Sequence, residues 1–149
     1  MLRNLINLTI LNLLIIFNAY ANELKISSDK LEVDRENKIS IFSGSVYAYN
    51  EDIKIWSEEL IVKFNNNENK IQQLNAKKKV KIINQEITAT GKTAIYDPNL
   101  ETLQMYGNVE VTESKNFVIC DELFLDIKNS TSIMTSVSSN RVEAFIVSE

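Results

Sequence analysis

A nine-residue pattern that recurs four times constrains this chain more than any other feature of its sequence. The pattern starts at Ile26, Ile55, Ala89 and Val118, so that successive starts lie 29, 34 and 29 residues apart. The four copies read ISSDKLEVD, IWSEELIVK, ATGKTAIYD and VICDELFLD. Self-similarity at a nearly fixed period indicates stacked structural units rather than unrelated strands.

A second marker in the repeat keeps the same spacing. A valine follows the first three starts by 20, 25 and 20 residues, at Val46, Val80 and Val109. The second unit is five residues longer in both measures, which predicts an insertion at residues 65–69, where the sequence reads NNNEN. Two independent offsets that agree favour true repetition over chance similarity among amphipathic strands.

Apolar and polar residues alternate within each unit, with the period of two that is typical of a half-buried β-strand. Short turn signals separate the alternating runs, for example Asp97-Pro98-Asn99. Connections this short require antiparallel pairing, because parallel strands need a crossover of a dozen residues or more. We therefore predict an all-β fold, an open and twisted β jelly-roll of stacked antiparallel strands.

The N-terminal segment differs from the rest of the chain. Arg3 is the only charged residue in residues 1–22, residues 8–17 are mostly aliphatic, and Ala19 and Ala21 provide small residues before a cleavage point. This arrangement predicts a cleaved secretory signal peptide at 1–21, followed by one β jelly-roll domain at 22–149. The alternative is an uncleaved membrane anchor, for which the apolar run is short, since a span needs about 20 residues.

Composition argues against several classes of function. A net charge of −4 argues against a general nucleic-acid binder. The chain has no His, and its single Cys120 permits neither an internal disulfide nor a cysteine-based zinc site. The acidic pairs at 58–59 and 121–122 are interpreted as solvated residues next to turns rather than as catalytic carboxylates. No nucleophile–base set can be assembled, so we predict no enzyme activity, no metal site and no cofactor.

Each unit presents one apolar row and one polar row. The function depends on whether the apolar rows form a closed core or line an open groove. The simpler interpretation is an ordinary core in which the rows meet. A repetitive stack, however, keeps the same cross-section along its length, so its interior can be a groove that is open at both ends. The edge strands at these ends carry unpaired backbone groups, which favour pairing with another chain.

Five segments occur in a characteristic order along residues 22–149. They read LKISSD at 24–29, FSGSV at 42–46, IKIWSEELIV at 53–62, YGNV at 106–109 and NRV at 140–142. No single segment is specific, but the ordered set behind a signal peptide resembles the lipopolysaccharide-transport protein A family, the periplasmic OstA-like (LptA) proteins.

The resemblance implies a periplasmic carrier that moves lipopolysaccharide from the inner to the outer membrane, with acyl chains held in a hydrophobic β groove. It also implies head-to-tail self-association and contact with inner-membrane LptC-like and outer-membrane LptD-like β domains. The residues at the family's lipid-lining positions are Leu24, Ile26, Phe42, Val46, Ile55, Leu60, Val62, Val80, Ile82, Met105 and Val109. The edge residues expected to meet partners are Leu24, Ile26 and Ser28 at the N-terminal edge and Arg141, Glu143 and Phe145 at the C-terminal edge.

The second unit departs from the family's pattern. Lys78 stands where the first and third units have Gly44 and Gly107, within the basic run at residues 77–81. Strict strand alternation predicts that Lys78 points inward and that the other lysines of the run, like Trp56, point outward. The run is interpreted as a solvated strand face, the alternative being a contact for lipid phosphates near the groove mouth.

Two other functions remain open at this point. A membrane-anchored LptC-like component of the same pathway would keep residues 5–21 as a span. A structural β-solenoid or surface-fibre subunit would keep a dry core and bind no lipid.

Overall fold

The computed structural model describes residues 23–67, 70–137 and 139–148. In this part of the chain the backbone forms one ten-stranded sheet and no helix, which confirms the all-β prediction. The predicted signal peptide and residues 68 and 69 of the predicted insertion lie outside the described residues. The strands are β1 (Lys25–Ser27), β2 (Lys30–Asp34), β3 (Ile39–Tyr49), β4 (Ile53–Phe64), β5 (Ile71–Asn84), β6 (Ile87–Asp97), β7 (Thr102–Glu113), β8 (Asn116–Asp126), β9 (Thr131–Thr135) and β10 (Glu143–Phe145).

Every strand pairing is antiparallel, and β3 to β8 follow one another across the sheet in chain order. Two short strands fill each end of the sheet. At one end β1 and β2 pair with opposite halves of β3, and at the other end β9 and β10 pair with opposite halves of β8. Within the described residues no pairing joins the two ends, so the sheet is open, as predicted.

A kink in each long strand divides the sheet into two halves. The register shifts at a mid-strand bulge in each of the five pairings from β3–β4 to β7–β8. Because a bulge bends its strand and increases the local twist, five bulges in line bend the sheet along one line, which we call the fold line. We call the half that contains β1 and β10 the upper half, and the half that contains β2 and β9 the lower half.

Each sequence repeat corresponds to one kinked hairpin. The nine-residue pattern runs along β1–β2, β4, β6 and β8. The third residue of each later copy pairs with the marker valine of the preceding unit, so the two sequence markers meet across strands. These pairs are Ser57 with Val46, Gly91 with Val80, and Cys120 with Val109.

Turns at the far end of the lower half explain why three copies of the pattern end in aspartate. Asp34 Oδ1 accepts a hydrogen bond from the backbone N–H of Asn37, at 3.0 Å, and Asp126 Oδ1 accepts one from Asn129, also at 3.0 Å. Asp97 forms the equivalent bonds in the β6–β7 turn. The backbone N–H of Asn37 lowers the pKa of Asp34, as the side-chain amide of Asn129 lowers that of Asp126.

Close packing at the fold line explains two of the three glycines. Gly44 and Gly107 both have φ of +83°, and a Cβ at either position would come within 3 Å of the side chain of Asp29 or Lys92, respectively. Asp29 and Lys92 are the fourth residues of their copies of the pattern. The kink of one strand therefore packs on the glycine of the other strand in the same unit.

The second unit crosses the fold line without glycine, and the prediction that Lys78 points inward is wrong. Lys78 and Lys79 both have positive φ, and both are exposed, because the bulge interrupts the alternation on which the prediction depended. Lys79 Nζ lies 3.1 Å from Glu58 Oε1, and Lys77 Nζ lies 3.7 Å from Glu59 Oε1. This acidic pair therefore lies at a mid-strand bulge and not next to a turn.

We predict that Lys78→Gly stabilises the fold. At φ of 64° a non-glycine residue is strained, and removing this strain should raise the free energy of unfolding by about 1 kcal/mol after the entropic cost of glycine. Urea denaturation of the exported protein measures the change. Lys63→Gly is the control: Lys63 is an exposed strand residue without positive φ, and this change should lower stability. A lower stability for Lys78→Gly would contradict the assignment of strain.

Candidate functional site

The inward faces of both halves contribute to one hydrophobic cluster. Direct cross-strand pairing aligns the inward residues in rows that run across the whole sheet. One lower-half row comprises Leu31, Phe42, Leu60, Ala76, Ala94, Met105, Leu123 and Met134. One upper-half row comprises Ile26, Ala48, Ile55, Ile82, Ala89, Val111, Val118 and Ala144.

The predicted lining residues belong to this cluster or pack against it, and they differ in burial. Eight of them are at most 2% exposed: Val46, Ile55, Leu60, Val62, Val80, Ile82, Met105 and Val109. The other three are partly buried and lie towards the N-terminal edge: Leu24, Ile26 and Phe42. The apolar rows of the structure therefore pack together, and contact of these residues with a lipid stays a prediction.

The inward rows become exposed at β2. Leu31 and Val33 continue two lower-half rows but are 52% and 59% exposed, because no further strand covers them. A cleft of about 310 Å³ lies beside Val33, and Ser40 and Phe64 also line it, with Arg35 among its charged residues. The N-terminal edge residues predicted from the sequence lie within 24–28 and do not include this half of the edge, although the alternation in KLEVD at 30–34 was a signal for it.

The C-terminal edge is also divided between two short strands. β10 has only three residues, and Phe145 in it stacks on Phe117 with ring centroids 4.3 Å apart. Arg141 precedes this strand, and Glu143 begins it. β9 forms the lower half of the edge, which the predicted edge residues Arg141, Glu143 and Phe145 did not include, and it carries the exposed Ile133.

Asp121 holds the segment that crosses from β9 to β10. Its Oδ2 accepts a hydrogen bond from the backbone N–H of Val137 at 2.8 Å and one from the side-chain amide of Asn140 at 3.2 Å. Asp121 of the second acidic pair therefore provides a structural anchor at the kink of β8, within the strand and not next to a turn as predicted.

The free rims of the two halves approach each other opposite the fold line. Tyr96 lies at the lower rim, and burial raises the pKa of its phenol, with further increases from the carboxylates of Glu101, Asp52 and Asp97. The hydrophobic cluster extends to both rims, because Phe64 and Tyr96 at the lower rim and Ile87 at the upper rim all pack against it. Asp52 also accepts a hydrogen bond through its backbone carbonyl from Asn84 Nδ2, at 2.9 Å. We call the line along which the two rims lie, opposite the fold line, the seam.

Reactive side chains are sparse along the described ranges. No group of three or more His, Cys, Asp or Glu side chains among the described residues could hold a metal ion. Cys120 is buried, and burial raises the pKa of its thiol, which keeps it protonated. No helix in residues 23–67, 70–137 and 139–148 is long and apolar enough to cross a membrane.

The kinked antiparallel sheet, its continuous apolar rows and its two open edges define an open β jelly-roll domain. Residues 25–131 match the family described as LptA/(LptD N-terminal domain) LPS transport protein, and the chain belongs to this family. The structure is similar to the crystal structure of LptH, the LptA-homologous periplasmic component of the lipopolysaccharide transport device of Pseudomonas aeruginosa. The TM-score is 0.77 at 13% identity, over 85% of this chain and 96% of that one, and this likeness shows the fold. No curated protein sequence matches this chain.

We predict that lining residues differ sharply in their effect on the stability of the lipid-free protein. Leu60→Ala should lower the free energy of unfolding by about 2–5 kcal/mol, because it leaves a cavity at a fully buried site. Leu31→Ala is the matched change in the same row and should cost less than about 0.5 kcal/mol, because Leu31 is half exposed. Urea denaturation measures both values, and similar losses would contradict the described exposure of the β2 edge.

Proposed function

We propose that this protein is a periplasmic carrier that binds the acyl chains of lipopolysaccharide between its two half-sheets and passes the lipid from the inner towards the outer membrane. The observation that carries the proposal is the set of inward apolar rows that run from one open edge to the other. Membership of a lipopolysaccharide-transport family supports the substrate. The predicted signal peptide at 1–21, cleaved to leave 22–149, supports the compartment.

The physical task of such a carrier is to shield acyl chains from water. Exposure costs about 0.8 kcal/mol for each CH₂ group, so a lipid with several long chains does not cross an aqueous compartment unaided at a useful rate. A row of apolar side chains that continues from strand to strand removes most of this cost at every position. The task requires no bond making or breaking.

Binding must open an interior that is packed in this structure. The long strands run unbroken across the fold line, whereas at the seam opposite it the partly buried Phe64, Ile87 and Tyr96 pack against the cluster. Separation of the halves at the seam would keep the strand pairing within each half. Separation would exchange contacts between side chains for contacts with acyl chains of similar polarity. The net free energy needed to open the interior therefore stays small.

The two edges provide the connections of the proposed bridge. The N-terminal edge, β1 and β2, would receive an inner-membrane LptC-like domain or a preceding copy. The C-terminal edge, β9 and β10, would receive the next copy or an outer-membrane LptD-like domain. Pairing at sheet edges supplies backbone hydrogen bonds to both partners.

Strand polarity makes the two edges complementary. β1 and β2 run antiparallel to β3, strand direction then alternates through β8, and β9 and β10 run antiparallel to β8. The C-terminal edge of one copy can therefore pair antiparallel with the N-terminal edge of the next. β9 and β2 both belong to the lower half, and β10 and β1 both belong to the upper half, so each meets its counterpart.

The inward rows select one register for this joint. The lower-half row that ends at Met134 continues into Leu31 of the neighbouring copy, because Leu31 begins the same row. The upper-half row that ends at Ala144 continues in the same way into Ile26 of the neighbour. A slip by one residue would turn apolar side chains outward, and a slip by two would break the fold line at the joint.

We expect a photo-crosslinking residue in place of Ile55 to label lipopolysaccharide in cells, because Ile55 points into the interior. The matched control is Ile61, an isoleucine on the same strand that pairs with Ile41 on the outward face. Mass spectrometry of the crosslinked product identifies the lipid. Failure of Ile55 to label any glycolipid in the folded, exported protein would contradict the proposal and favour a fibre subunit with a dry core.

Intact mass of the protein recovered from cells separates the carrier from a membrane-anchored LptC-like component. We expect a soluble periplasmic species that begins at Asn22. A membrane-bound species with the mass of residues 1–149 would contradict both the predicted cleavage and the proposed compartment.

We predict that Leu31→Cys and Met134→Cys, combined in a Cys120→Ala background, give disulfide-linked ladders of copies under oxidising conditions. Directly opposed residues in an antiparallel pair bring their Cβ atoms to about 4.5–5.5 Å, within reach of a disulfide after small adjustment. Leu31→Cys with Ser132→Cys is the control, shifted by two residues. Ladders from the control at equal or greater yield would contradict the proposed register.

A further inference from the structure

The outer surface of the upper half carries an aromatic stack next to the N-terminal edge. The rings of Tyr47 and Tyr49 stack with centroids 5.0 Å apart, and those of Tyr47 and Trp56 with centroids 4.9 Å apart. Lys81 Nζ lies 5.4 Å from the centre of the Trp56 ring. Trp56 is flanked by Tyr47 on the β3 side and by Lys81 on the β5 side. The stack ends at Tyr49, which is 37% exposed and pairs with Lys25 of the edge strand.

A second aromatic pair lies at the opposite edge of the same surface. Phe145 of β10 stacks on Phe117 of β8, and Phe145 is 46% exposed. Successive cross-strand partners place both aromatic groups on a single outward row. The row comprises Lys25, Tyr49, Lys54, Ile83, Thr88, Thr112, Phe117 and Phe145.

We propose that these two aromatic groups form one clamp across the joint between copies of this chain. In the register derived above, Phe145 lies opposite Lys25 of the neighbouring copy, with that copy's Tyr49 one strand further on. The Phe117–Phe145 stack then continues through the Lys25 side chain to the neighbour's aromatic stack. This inference rests on the edge pairing in the proposed function and adds the recognition surface that selects a second copy as the partner.

Charges at the two edges are complementary in this register. Glu143 lies opposite Ser27 of the neighbouring copy and diagonal to its Lys25, on the same outward surface and within reach of a long side chain. Arg141 and the neighbour's Asp29 lie just outside the paired strands and add a further pair of opposite charges near the joint. Among the described residues Lys25, Glu143 and Arg141 form no ion pair within their own chain, so each is available for a partner.

Among the described residues the outer surface of the lower half carries no stacked aromatic rings at the joint, although Phe124 and Ile133 are exposed there. There Ile133 would face Glu32 of the neighbour, whose carboxylate already pairs with Lys30 at 3.2 Å. The lower half instead exposes inward apolar residues, Leu31 and Val33. Both halves of the joint thus continue the apolar rows, and the upper half in addition recognises the neighbouring copy.

The test is a charge exchange between the two edges, measured as the self-association constant of the exported, processed protein by sedimentation equilibrium. Lys25→Glu and Glu143→Lys should each weaken association roughly tenfold, because each places like charges side by side. The double variant carries both changes in every copy and should restore association to within about threefold of the original value. Lys63→Glu, an exposed lysine on the interior strand β4, is the control and should change association less than about threefold.

A second variant tests the aromatic part of the clamp. Phe145→Ala should weaken association at least about tenfold, whereas Leu100→Ala, which truncates an exposed apolar residue in a turn distant from both edges, should not. The charge exchange leaves Phe145 in place, so it remains informative if Phe145→Ala loosens β10 itself.

Two results would overturn the clamp. One is unchanged association in both single charge variants, and the other is a double variant no stronger than the singles. If the disulfide between Leu31→Cys and Met134→Cys still forms in those cases, only the clamp is wrong and the edge pairing stands. Loss of glycolipid labelling at Ile55 would instead count against the proposed carrier function, whatever the association constant.

Discussion

The line of bulges across the middle of the strands is the constraint on which the rest of the structure depends. It bends one continuous sheet so that inward residues of both halves share a single apolar cluster. Neighbouring strands cross the line in two ways. In β4, β6 and β8 the last inward residue before the line and the first one after it are an odd number of positions apart, as with Ser57 and Leu60. In β3, β5 and β7 this spacing is even, and two consecutive residues at the line have positive φ. Because the two solutions alternate from β3 to β8, the apolar rows stay aligned across the long strands.

The repeat explains how much of the fold could be predicted from the sequence. Copies of one pattern at a nearly fixed period imply identical strand faces, and the alternation within a run agrees with the inward positions of Ile53 and Ile55 and of Val109 and Val111. Alternation fails where a bulge resets it, as at Lys78, and a polar pair such as Glu58-Glu59 looks like a turn when the strand in fact continues. A bulge depends on strands that are distant in sequence, so the local pattern does not distinguish it from a turn.

The edges were harder to predict for a related reason. A strand at the end of a sheet has one neighbour, so its sequence carries little of the two-sided burial pattern that marks central strands. β9 was missed because its residues are mostly polar, and Leu31 was not assigned to the edge although it continues an inward row. The burial of the predicted lining residues could not be derived from the sequence either, since packed and lipid-filled interiors require the same alternation.

The proposed function gives the same side chains two roles in succession. Without lipid they form the core that holds the halves together, and with lipid they contact acyl chains across an opened seam. Intermolecular nuclear Overhauser effects between acyl-chain protons of lipopolysaccharide and methyl-labelled protein test this claim most directly. The account predicts contacts to Ile55 in the upper half and to Leu60 in the lower half of the same lipid-bound protein. Contacts confined to outward residues such as Ile61 and Ile95, with inward methyl groups unchanged, would contradict it.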